Sequence, residues 1–137
     1  MRTFQLFLSL LILFNLSSSA FAQNKSNPIL DLRAPESGEE LLIGYKKGIH
    51  FVAKFSDEKG LDSYKIEIVS DTQSPKKSNK IVSSSWDLSG VKDTLIHHHD
   101  LLIPQKVKPG KYYFILSCKN KKGDVKETKI SVSLVKP

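Results

Sequence analysis

An all-β, immunoglobulin- or fibronectin-like antiparallel sandwich of about seven strands is the fold this sequence predicts, on three observations. Apolar residues recur at every second position in short runs. Clusters of Gly, Pro, Asp, Ser and Lys separate those runs. No segment carries the three-to-four-residue apolar spacing of an amphipathic helix.

Ahead of the sandwich stands MRTFQLFLSLLILFNLSSSAFAQ, with basic Arg2, an apolar run from Phe4 to Leu16 and the small-x-small triplet Ala20-Phe21-Ala22. This is the pattern of a secretory signal peptide, expected at residues 1–22 with cleavage after Ala22. The run is shorter than the roughly 20 apolar residues that span a bilayer, and no later segment is apolar enough to do so. Residues 23–137 are then expected to form one domain with a single core. The expected address is periplasmic or secreted. No cysteine lies near the cleavage site, so a lipoprotein is not expected.

The elements follow in order. Residues 28–32, PILDL, read as a first edge strand, with Pro28 at its start where a missing N–H is harmless. Residues 34–48 turn and return. In GIHFVAKFSD, Ile49, Phe51, Ala53 and Phe55 share the face expected to be buried, opposite His50, Val52 and Lys54. DEKG at 57–60 makes a turn into LDSYKIEIVSD, where Tyr64, Ile66 and Ile68 alternate with Lys65, Glu67 and Val69. The polar connection DTQSPKKSNK has no apolar anchor and is expected to be mobile. KIVSSSWDLSG supplies another strand with Trp86 near its end, and TLIHHHDLLIP, residues 94–104, the next. VKPG then turns the chain into KYYFILSCKN, with Tyr112, Phe114, Leu116 and Cys118 on one face. KKGD joins it to VKETKISVSLV, whose Thr128, Ile130, Val132 and Leu134 point one way, forming a closing hairpin. Tyr112, just after Pro109-Gly110, stands where a sandwich places a tyrosine corner, and Tyr64 takes the place of the tryptophan of antibody domains.

The formal net charge is +7, a balance that favours anionic surfaces such as acidic glycans or phospholipid headgroups. Much of it lies in the pairs Lys46-Lys47, Lys76-Lys77 and Lys121-Lys122, each in a turn, and Arg33 is the sole arginine after the leader. Lysines on turn tips without arginine do not read bases, so nucleic acid is not an expected partner. Cys118, the single cysteine, precludes an internal disulfide, and its setting in YYFILSCK fits a buried small apolar residue.

Gly60-Leu61, Ser63-Tyr64, Ile66, Ile68, Leu101, Ile103-Pro104, Gly110, Tyr112, Phe114 and Gly123 together resemble the family known as domain of unknown function 4625. The resemblance spans roughly residues 27 to 135. It implies an exported immunoglobulin-like protein of the kind found mostly in Bacteroidetes, many of them lipoproteins. Members often carry a histidine-rich segment after the strand that holds Ile66 and Ile68; here that position reads VSDTQSPKKSNK, without a histidine. The lipid-attachment cysteine is also missing, so neither feature is carried over.

The histidines of this chain lie elsewhere. Neutral imidazole is a good ligand for zinc or copper, and residues i and i+2 of a strand share a face about 7 Å apart. His97 and His99 form one such pair, with His50, Asp100 or, across a bulge, His98 as further candidates. If Leu101 and Ile103 face the core, as the alternation before Pro104 suggests, His97 and His99 lie inward while His98 and Asp100 face outward with His50, and that trio is the expected cluster. The opposite register favours His97 and His99. The bland alternative is that all are ordinary strand residues, since no spacing matches a closed zinc pattern.

Trp86 and Tyr113 are the candidate contacts for a sugar or protein ligand, with a core plug as the alternative for Trp86. His98 beside Asp100 could pair as acid and base, but no nucleophile elbow or phosphate-cradling glycine loop accompanies them. The expected function is therefore a non-catalytic binding or accessory module of the bacterial envelope, with an envelope protein or glycan as partner and no cofactor. An extracytoplasmic zinc- or copper-binding protein using His97, His98 and His99 is the alternative, and a hydrolytic enzyme the third.

Overall fold

The computed structural model describes residues 27–71 and 80–137; the expected leader, and residues 72–79 of the connection expected to be mobile, lie outside them. The described residues form strands β1 (Ile29–Ala34), β2 (Glu40–Leu42), β3 (Ile49–Ser56), β4 (Leu61–Ser70), β5 (Lys80–Asp87), β6 (Asp93–Leu101), β7 (Gly110–Asn120) and β8 (Val125–Val135). No helix among them is long and apolar enough to cross a membrane.

Two sheets face one another, β1-β3-β6 and β2-β8-β7-β4-β5. This is an immunoglobulin-like sandwich, the chain crossing between layers except at the β4–β5 and β7–β8 hairpins of the larger sheet. The strand beyond the seven or so expected is β2. It pairs parallel with the end of β8, Glu40 opposite Ser133 and Leu42 opposite Val135. Three residues are too few for alternation to announce a strand, but Leu41 and Ile43 both turn into the core.

Period-two patterning decides which side chains enter the interior. Phe51, Ala53 and Phe55 of β3 are fully buried against Tyr64, Ile66 and Ile68 of β4 and Phe114, Leu116 and Cys118 of β7. Val132 and Leu134 close the layer from β8. The tyrosine corner forms as expected: Tyr112 Oη donates to the Lys108 carbonyl at 2.7 Å. Cys118 is a buried free thiol, pushed up to about 11 chiefly by burial and secondarily by the Asp57 charge.

The end of the sandwich beyond β3 is held by one buried amide. Asn120 Nδ2 donates to Asp57 Oδ2 at 3.0 Å and to Asp124 Oδ2 at 3.2 Å. Its Oδ1 accepts the backbone N–H groups of Lys122 and Asp124. The opposite end, where β3 begins and β6 finishes, carries the histidines.

Candidate metal centre

Strands β3 and β6 are antiparallel neighbours, and β6 is an edge of the smaller sheet. Val52 opposes His97 and Phe51 opposes His98, but the next pair is Ile49 with Leu101. Between those pairs β3 has one residue, His50, and β6 has two, His99 and Asp100. Two residues facing one is a β-bulge, and it resets the parity of side chains along β6.

The bulge reverses the cluster that unbroken alternation from Leu101 leads one to expect. Leu101 and Ile103 are buried as anticipated, yet His98 also turns inward, and it is His97 and His99 that face solvent with His50. The outward trio is therefore His50, His97 and His99. His98 and Asp100 are not part of it.

In that trio, each histidine offers a ring nitrogen, and the three nitrogens lie within 4.8 Å of one another. The His50 and His97 Nε2 atoms are 2.9 Å apart. The His99 ring stacks on His50 at 4.7 Å between centroids and 10° between planes, while His97 meets His50 edge-on at 4.8 Å and 61°. Nitrogens bound to one zinc at about 2.0–2.1 Å stand roughly 3 Å apart, so the His50–His97 pair already has that separation and the His99 nitrogen, within 4.8 Å of both, has to close in to join them. Zinc and copper are the ions imidazole donors suit, and three ligands on an open sheet face leave room for a further one from solvent.

His98 has a different role. Its side chain is 17% exposed, its Nε2 lies 3.0 Å from Tyr64 Oη, and its Nδ1 lies 2.6 Å from an Asp100 carboxylate oxygen, close but poorly aligned for a hydrogen bond. Phe51 and Trp86 pack against its ring at 4.8 and 5.0 Å. Burial holds the His98 imidazole below its ordinary value against the opposing pull of Asp100. Tyr64, buried in the same group, is pushed up to about 12 by burial first and the Asp100 charge second. With Nε2 against the Tyr64 hydroxyl and the ring packed among Phe51 and Trp86, His98 anchors the strand and stands apart from the outward trio.

Trp86 is half-buried and stacks on Tyr64 at 4.9 Å. Tyr113, on the outer face of β7, lies under the Lys129 ammonium at 4.0 Å from its ring centroid. The two aromatic candidates thus sit on different elements and come together in no shared patch. Gly48 and Tyr64, by contrast, bear on the histidines without having been singled out for it. Tyr64 was legible only as a core residue, and Gly48 only as the end of the turning segment 34–48 that leads into β3.

Fold and cluster together define an immunoglobulin-like module that presents three imidazoles on one sheet face. Residues 16–135 match the family described as domain of unknown function (DUF4625), and the chain belongs to it. No curated protein matches it in sequence.

Among solved structures, the chain is similar to CopC from Methylosinus trichosporium OB3b, at 13% identity and a TM-score of 0.42 over 77% of this chain and 93% of that one. It is also similar to the PKD1 domain of Vibrio anguillarum Epp, at 16% identity and 0.39 over 83% and 100%. A third is the PmoD soluble domain from Methylocystis sp. ATCC 49242 (Rockwell), at 11% identity and 0.38 over 79% and 90%. At such distances nothing about a ligand carries over to this protein.

Proposed function

We propose that this protein is an extracytoplasmic, non-catalytic binding module that holds one zinc or copper ion through His50, His97 and His99. The observation that carries the reading is the convergence of three ring nitrogens within 4.8 Å on an exposed face. Imidazole nitrogens so close together need little movement to bind one ion. Export rests on the leader pattern of residues 1–22. An exposed site with fewer than four protein ligands suits reversible capture or hand-over of metal better than permanent structural retention.

The test uses residues 23–137 purified without a histidine tag, titrated with zinc(II) and copper(II) by calorimetry and followed by metal analysis after gel filtration. One ion per chain is expected, and none in the triple variant His50→Ala, His97→Ala, His99→Ala. Absence of stoichiometric binding to the natural sequence overturns the reading.

A further inference from the structure

Gly48 occupies the turn ahead of β3, where its N–H donates to the Tyr45 carbonyl at 3.0 Å and its φ is +72°. The His99 carbonyl, at the start of the bulge, packs directly onto its α-carbon. A Cβ on Gly48 would overlap the His99 carbonyl oxygen, and would stand 2.8 Å from the His99 carbonyl carbon and 3.2 Å from the Leu101 carbonyl oxygen. All three are backbone atoms, which cannot swing aside as the tip of a side chain can. The left-handed conformation adds a separate strain for any residue other than glycine.

We infer that Gly48 is a positioning residue of the three-histidine cluster: lacking a side chain, it seats the bulge carbonyl of β6 and so holds the His99 imidazole over His50. Its functional meaning rests on the metal-binding reading above, whereas the placement of His99 is a property of the metal-free chain. Two other glycines separate local strain from this contact. Gly38 (φ +83°) and Gly123 (φ +87°) share the left-handed backbone, but a Cβ at either meets nothing within 4 Å. Neither contacts the histidines.

Gly48→Ala is expected to lower zinc or copper affinity at least about tenfold, the scale on which a lost supporting contact weakens a metal site. Gly38→Ala is expected to keep the affinity of the natural chain. In a His99→Ala background, Gly48→Ala should cause no further loss, because the residue it acts through is already gone. In the metal-free protein, nuclear Overhauser contacts between the His50 and His99 rings should be present in the natural sequence and absent in Gly48→Ala. Gly48→Asn, which tolerates left-handed backbone but carries a Cβ, serves if the alanine variant does not fold.

Unchanged affinity in a folded Gly48 variant, an equal loss in the His99→Ala background, or persistence of the ring contacts overturns the inference. If the natural chain binds neither metal, the proposed function fails by itself and the ring contacts alone decide the role of Gly48.

Discussion

The Nε2 atoms of His50 and His97 meet at 2.9 Å across the β3–β6 ladder, although 47 positions separate the two residues in the chain. Their contact comes from strand pairing, and it places two donors at the spacing one ion requires. Substituting His50, His97 or His99 singly by alanine is expected to weaken zinc or copper binding by about tenfold or more. All three side chains are exposed, so the urea midpoint should move by no more than about 0.5 kcal/mol in stability. Calorimetric titration beside urea unfolding of each variant checks both statements.

The neighbour between them behaves in the opposite way. Tyr64→Phe removes the hydroxyl that meets His98 Nε2 at 3.0 Å and leaves a largely buried nitrogen without its protein partner. The expected cost is about 1–2 kcal/mol of stability. Chemical denaturation measures it, and metal affinity of the folded variant should stay close to that of the natural chain.

Stability should fall in alkali. Tyr64 is raised from 10.0 to about 12 and Cys118 from 9.0 to about 11 in the folded chain, so the unfolded chain gives up these protons first. The contribution of both groups is complete below pH 9 and is lost progressively as pH rises from 9 towards 12. Circular dichroism melts across that range follow it. Cys118→Ala should remove the part of the slope that begins near pH 9.

At the far end of the sandwich, Asn120→Ala strips Asp57 and Asp124 of a shared donor and two backbone N–H groups of their acceptor. With Asn120 and Asp57 both buried, about 2–4 kcal/mol is the expected loss. Asn120→Asp should cost more near neutral pH, because it sets a third carboxylate among two. Thermal unfolding of the two variants at pH 7 ranks them.

Much of the fold was legible because a half-buried strand advertises itself. In β3 the alternation of Ile49, Phe51, Ala53 and Phe55 against His50, Val52 and Lys54 is reproduced residue by residue in the burial, and Tyr112 makes the corner its place after Pro109-Gly110 suggested. The short β2 was not legible, since its partner is the end of β8, which lies at the far end of the sequence. For the candidate site, the residue types could be read, but the membership of the cluster could not. Counting back from Leu101 assigns His98 to solvent, and the count fails at His99-Asp100, where one extra residue enters the ladder.

The order of residues by itself determined an all-β sandwich, the inward faces of β3, β4, β7 and β8, and a strand that carries three consecutive imidazoles. Those follow from local periodicity, which every strand carries within its own span. Only the tertiary structure decided that His98 is drawn inward to Tyr64 while His97 and His99 join His50 outside. The reason is physical: a bulge is stabilised by what lies across the ladder, here the side-chain-free surface of Gly48 and the aromatic group around Tyr64, and no alternation within β6 records it.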